Sequence, residues 1–271
     1  MATKWASSWP MAARRRPEMA TRSPRAPLTA FVLHRYDWSE SSVILDLFSR
    51  EQGRLAVAAK GAKKPYSNFR SVLLPFQRLH VSLSGAAAKD EASNSDVQNL
   101  RGAEWAGGAA MLTGAALFSG FYLNELLMKL LARHDPHEAL FDVYALTLPE
   151  LASNDEAQVQ SALRAFELTL LQQTGLLPDL SLATQTQDAV QTERRYALSA
   201  ESGVGAGGEI GGSTLIGLQA ALQHGSLPAL QQACRPALPE LKSALRGMIQ
   251  HHLGASTLRT RQVMMGVQSL S

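Results

Sequence analysis

With 271 residues, a formal net charge of +3 and one cysteine (Cys234), the chain is long enough for two separately cored domains but excludes an intrachain disulfide and any multi-thiolate zinc or iron–sulfur site. The net charge conceals an uneven distribution: residues 1–27 carry six Lys/Arg against one acid, residues 28–105 ten against eight, and residues 106–271 ten against fourteen. No window approaches 18 consecutive apolar residues, which predicts a soluble protein, and the single thiol fits a reducing cytoplasm.

Residues 1–27 contain Trp5, Trp9 and the triplet Arg14-Arg15-Arg16 without the apolar centre of a signal peptide, and read as a disordered basic leader. Such a composition also fits a transit peptide or a nucleic-acid-binding arm, and Met11 and Met19 are plausible alternative starts. From Leu28 the pattern turns to period-two and β-branched runs. Leu28–Asp37, Ser42–Phe48, Gly53–Ala59, Phe76–Leu83 and Val97–Glu104 each predict a strand, the first three in a meander. Five short strands with one long polar connection, Lys60–Pro75, suit a small closed barrel over residues 28–105: an OB-fold in outline, with an SH3-like barrel as the alternative.

Residues 106–271 lose the strand signal. Leu117–Arg133, Pro136–Leu151, Ala157–Thr174, Leu238–Leu253 and Leu258–Leu270 predict helices, so the fold class is α+β, a five-stranded barrel followed by an all-α domain. A Gly-rich irregular insertion is expected around residues 176–213, with a possible strand at Arg195–Ala200 and a possible helix from Ser213. Gly203-Val204-Gly205-Ala206-Gly207-Gly208 only superficially resembles a dinucleotide turn: the preceding strand is polar and no second βαβ unit surrounds it, so a flexible hairpin tip is the better account. His134 with His137, and His251 with His252, lack a third ligand nearby in sequence and predict no metal site.

The chemistry is concentrated between Gln52 and Lys89. This window holds Arg54, Lys60, Lys63, Lys64, Arg70, Arg78 and Lys89 and no acid, with Tyr66, Phe69 and Phe76 among them. Unopposed cations neutralise phosphates and flat apolar rings take unstacked bases, so Arg35, Arg54, Lys60, Lys63, Lys64, Arg70 and Arg78 are the candidate DNA-binding residues. A solvated Lys-rich loop is the plain alternative. Walker-type, nucleophile-elbow and His-Glu-x-x-His motifs are absent, as is a nuclease-type acidic cluster, which predicts a binding protein and not an enzyme.

Ala30-Phe31-Val32-Leu33-His34, Trp38-Ser39-Glu40-Ser41-Ser42, Ala59-Lys60-Gly61-Ala62-Lys63-Lys64 and Pro75-Phe76 resemble the N-terminal domain of the bacterial recombination mediator family RecO. The helical half is similar too, in Ser119-Gly120-Phe121-Tyr122-Leu123-Asn124-Glu125-Leu126-Leu127, in Leu163-Arg164-Ala165-Phe166-Glu167-Leu168, and in His252-Leu253-Gly254 followed by Leu258-Arg259-Thr260-Arg261. The resemblance implies an OB-fold joined to a helical domain in a cytoplasmic, nucleoid-associated bacterial protein. It also implies binding of single- and double-stranded DNA, annealing of complementary strands, and work with RecR to load RecA on DNA coated by single-strand-binding protein, in DNA repair and recombination. Many members carry a four-cysteine zinc site after the helix matching Leu163. Here Leu177–Tyr196 has no cysteine, so the chain resembles a zinc-free branch and no cofactor is expected.

For the acidic C-terminal tail of single-strand-binding protein, Arg164 is the candidate carboxylate receiver beside Phe166, on a helix whose Val159, Leu163, Phe166 and Leu170 recur at spacings of four, three and four. An ion pair of Arg164 with Glu167 or Glu156 is the alternative. Two other function classes fit the same residues: an RNA-binding OB-fold module with a helical interaction domain, and a helical scaffold that carries a basic loop.

Overall fold

A computed structural model describes residues 26–84, 97–108, 111–254, 258–260 and 262–263. The basic leader up to residue 25, Lys89, and most of the helix expected from Leu258 lie outside the described residues.

Five strands, β1 (Leu28–Asp37), β2 (Val43–Ser49), β3 (Gly53–Ala59), β4 (Leu79–Leu83) and β5 (Val97–Trp105), form a closed barrel in the order β1-β2-β3-β5-β4. β1, β2 and β3 form the antiparallel meander, and closure comes from a parallel pairing of β3 with β5. Alternation decides which side chains go inside. Ala30, Val32, Leu45, Leu47, Leu55, Val57, Leu79 and Val81 fill the interior. Their neighbours Phe31, Leu33 and Phe48 point outward but are equally buried, because helices cover them. β4 starts later than the expected Phe76, since Phe76 takes a positive φ of 66° and turns to meet Phe121 at a ring distance of 5.1 Å.

The connection between β3 and β4 carries a one-turn helix, α1 (Phe69–Val72). After the barrel come α2 (Gly114–Leu130), α3 (Glu138–Glu150) and α4 (Glu156–Gln173), then α5 (Gly212–His224), α6 (Leu227–Cys234) and α7 (Leu238–Leu253). Asp155 caps α4 by accepting from the Ala157 N–H at 2.9 Å. The stretch expected to be irregular and Gly-rich is instead folded in part. β6 (Arg195–Ser199), β7 (Gly203–Ala206) and β8 (Ile210–Gly211) make a three-stranded sheet in which Gly203 and Gly205 are paired strand residues. Gly203 is required there: its φ is +66°, and a Cβ would sit 2.1 Å from the Thr184 hydroxyl.

Helices α2 and α3 lock onto the barrel. Phe31 and Phe48 pack on Phe141 and Tyr144 of α3, with ring centroids 5.0 to 6.2 Å apart. Each such side chain contributes about 1.5–3 kcal/mol by leaving water. The Asn124 amide of α2 donates to the Leu33 carbonyl of β1 at 3.0 Å and accepts from the Tyr144 hydroxyl at 2.5 Å. Arg50 spans from the end of β2 to α3, with Nε and Nη2 each 3.0 Å from the Asp142 carboxylate. Farther along, Glu125 accepts from the Arg259 and Thr260 N–H groups and so holds the segment after α7 against α2. Among the described residues, no helix is long and apolar enough to cross a membrane.

Candidate nucleic-acid interface

The chain leaves β3 at Ala59 and turns tightly, with the Ala62 N–H donating to the Ala59 carbonyl and the Lys64 N–H to the Gly61 carbonyl. Gly61 has φ +74°, where a side chain would be strained. Ala62 is 2% exposed and plugs into the barrel interior. This anchor turns the flanking Lys60 and Lys64 outward, and both are exposed. The turn between β1 and β2 lies alongside, because the Lys63 N–H donates to the Ser41 carbonyl at 2.9 Å.

Two adjoining hollows result. One, of about 630 Å³, lies among Lys60, Lys64, Tyr66, Phe69, Arg101 and neighbouring loop residues. The other, of about 470 Å³, is lined by Trp38, Ser39, Ser41, Ser42, Lys60, Gly61 and Lys64. Lys60, Gly61 and Lys64 are common to both, and among the described residues no carboxylate lines either one. Tyr66, 99% exposed, belongs to the first hollow, and Trp38, 54% exposed, to the second.

The other expected contacts are distributed differently. Lys63 does not stand free: its Nζ lies 2.8 Å from Asp37 Oδ1 and donates to the Ser39 carbonyl at 2.9 Å. That ion-paired hydrogen bond and the ammonium charge hold the Asp37 carboxyl below its ordinary range. Arg70 and Arg35 are exposed but line neither hollow, and Arg78 is half-buried with its Nε out of water and unpartnered. Arg54 is the clear correction. Its Nη1 donates to the Met128 and Leu131 carbonyls at the end of α2, and its Nε lies 3.8 Å from the buried Asp46, so it joins barrel to helix. Of the three aromatics expected to take bases, Tyr66 is exposed in the first hollow, Phe69 is half-buried against the barrel core yet still lines that hollow, and Phe76 is buried.

Arg101 and Trp38 are not among the residues that the sequence predicts as contacts. Arg101 sits on β5, which pairs in parallel with β3 through Ala56↔Val97 and Ala58↔Asn99, and it lines the first hollow together with Lys60. Pairing between strands so far apart in sequence leaves no local signal. Trp38 is visible as part of a motif, yet its place beside Lys60 depends on the packing of two separate turns.

The helical candidates are also corrected. Phe166 is wholly buried, 6.1 Å from the Tyr144 ring, and offers no surface to a peptide. Arg164 is 5% exposed and bonded to Glu167 at 2.8 Å, and Glu167 in turn accepts from the Tyr122 hydroxyl at 2.7 Å. The alternative pairing with Glu167 is therefore the one realised, in the core. The stretch Leu177–Tyr196, which has no cysteine, is packed by apolar side chains. Leu180, Val190 and Tyr196 are buried there, the Tyr196 hydroxyl accepts from the Gln191 N–H, and among the described residues no group of three or more His, Cys, Asp or Glu side chains is gathered as a metal site would need.

Comparison with known proteins covers nearly the whole chain. Residues 26–99 match the family model for the N-terminal part of recombination protein O, and residues 111–262 match that for its C-terminal part. The DNA repair protein RecO of Verminephrobacter eiseniae (strain EF01-2) is 50% identical over 258 residues, which cover 93% of this chain and 100% of the relative. Its counterpart in Polaromonas sp. (strain JS666 / ATCC BAA-500) is 49% identical over 247 residues, covering 89% of this chain and 96% of the relative.

Proposed function

The chain belongs to the RecO family of DNA repair proteins, and on that premise we propose that it binds DNA through the hollows around Lys60 and Lys64, anneals complementary single strands and assists RecA loading on strands coated by single-strand-binding protein. The observation that carries this reading is the shared cationic wall with no lining carboxylate among the described residues. Such a wall attracts phosphate of any sequence, and annealing requires two backbones to be neutralised while base edges stay free to pair. The protein works by binding, in the bacterial cytoplasm, without a metal or organic cofactor. RecR and the C-terminal tail of single-strand-binding protein are its proposed partners; neither Arg164 nor Phe166 serves as their contact, for both are buried in the core.

Replacing Lys60 and Lys64 together by Ala tests the reading. Single-stranded DNA affinity falls at every sequence, and the slope of log affinity against log salt becomes shallower by about 0.7 for each phosphate no longer neutralised. The annealing rate falls with it. An unchanged slope with unchanged affinity rules the site out. The same oligonucleotide sequence as RNA, titrated in parallel, separates this reading from an RNA-binding module, which would hold RNA more tightly than DNA.

A further inference from the structure

We propose that the paired hollows select an unpaired DNA strand, its bases stacking on Trp38 and Tyr66 and its phosphates held by Lys60, Lys64 and Arg101; this rests on the DNA-binding reading above. A single exposed aromatic needs no explanation. Here two stand in adjoining hollows that share one cationic wall, so a backbone running along Lys60 and Lys64 passes an aromatic ring in each. Both volumes fall within the roughly 300–1,000 Å³ of small-ligand pockets, enough for flat heterocycles to enter. The two turns that carry the rings are also held together in advance. Ala62 is plugged into the barrel, and Lys63 ties the Lys60–Lys64 turn to the Trp38 turn through its backbone at 2.9 Å and its ammonium at 2.8 Å. The backbone of the two turns therefore needs little ordering on binding, and the cost falls on the exposed side chains.

Pairing state follows from the geometry of the ligand. In a duplex each base face is covered by its neighbours and only edges and phosphates are accessible, so duplex DNA can use the cations but not the rings. An unpaired strand uses both. Stacking of a base on an aromatic side chain is sequence-tolerant, which suits a protein acting on arbitrary strands.

The test uses the full chain, a single-stranded oligothymidylate and a duplex of equal length, followed by fluorescence anisotropy across a salt series. Trp38→Ala with Tyr66→Ala weakens single-strand binding by about tenfold or more, leaves duplex binding unchanged, and leaves the salt slope unchanged because no cation is removed. Trp38→Phe with Tyr66→Phe, which keeps a ring at each place, retains single-strand binding. Equal weakening of both DNA forms, or no weakening of either, overturns the proposal. If the lysine replacements lower affinity while the aromatic ones leave the single-strand preference intact, the DNA-binding reading stands and only the stacking inference falls. If the lysine replacements have no effect, both fall.

Discussion

Arg164 illustrates how far a side chain's surroundings can depart from its sequence neighbourhood. On an amphipathic helix it resembles a surface cation, but Leu163, Phe166 and Leu170 are covered on one side and α6 and α7 cover the other, so Arg164 and Glu167 become a buried pair. Burial raises the Glu167 carboxyl, with the Arg164 charge opposing it, and burial likewise pushes the neighbouring Cys234 thiol up to about 12. Removing one member of such a pair leaves the other uncompensated, and Arg164→Met is expected to cost about 3–5 kcal/mol of stability. The pH dependence has a definite sign. An acid whose folded pKa lies above its unfolded value stabilises the fold below its ordinary value and loses that contribution as pH rises through the folded one. Without Arg164 the carboxyl rises further, so the cost grows from pH 5.5 to pH 8. Urea midpoints at the two values measure it, and the double variant Arg164→Met/Glu167→Gln, which keeps an acceptor for Tyr122, recovers much of the loss. A double variant as unstable as the sum of the singles would remove the pair from the account. DNA binding by Arg164→Met, measured where it is folded, should match the unaltered chain.

At the scale of elements, the β1–β2 turn and the β3–α1 segment behave as one unit because Asp37 and Lys63 clasp them together. In the proposed interface Lys63 is thus a positioning residue, while its neighbours Lys60 and Lys64 line the hollows. Lys63→Ala is expected to weaken single-stranded DNA binding with a smaller change of salt slope than Lys60→Ala, and the exchange Asp37→Lys/Lys63→Asp should restore part of the affinity. If Lys63→Ala flattens the slope as much as Lys60→Ala and the exchange restores nothing, Lys63 is a phosphate contact after all. Because Lys63 depresses the Asp37 carboxyl, the clasp is fully charged above the ordinary carboxylate value and lost only as pH falls through a still lower one. Assays near neutrality therefore see it closed. The elements themselves are largely legible in the sequence: β1, β3 and α7 have the bounds that periodicity predicts. α6 escapes because eight residues with Pro228 near the start give a weak helical signal, and β7 because its Gly-rich strand has almost no side chains to alternate. The candidate site is legible only in part. Lys60, Lys64 and Tyr66 follow from local composition, whereas the pairing of Lys63, the inward turn of Phe76 and the arrival of Arg101 all depend on contacts between distant segments.

For the whole molecule, the division into barrel and helices in sequence is not a division in the core. Phe31, Leu33, Phe48 and Phe76 belong to the same buried cluster as the residues of α2, α3 and α4, and among the described residues the barrel interior forms the other cluster. Gly53 marks how closely the parts approach: at φ +67° it makes the β2–β3 turn, and a Cβ there would lie 1.9 Å from the Asp135 carbonyl beyond α2. Asn124 is the polar member of this contact, serving the Leu33 carbonyl and the Tyr144 hydroxyl at once. Asn124→Ala leaves both groups buried without a partner, at a cost of about 1–3 kcal/mol each. Since the two parts share that core, the effect should not stay local. In a Trp5→Phe/Trp9→Phe background the emission of Trp38 and Trp105 reports on the barrel, and far-UV circular dichroism reports mainly on the helices. Denaturation of this chain should give coincident transitions by both probes, and Asn124→Ala should move both midpoints by the same amount. Two separated transitions, or a shift confined to the helical signal, would mean that barrel and helices fold independently and that the shared aromatic cluster contributes little to their association.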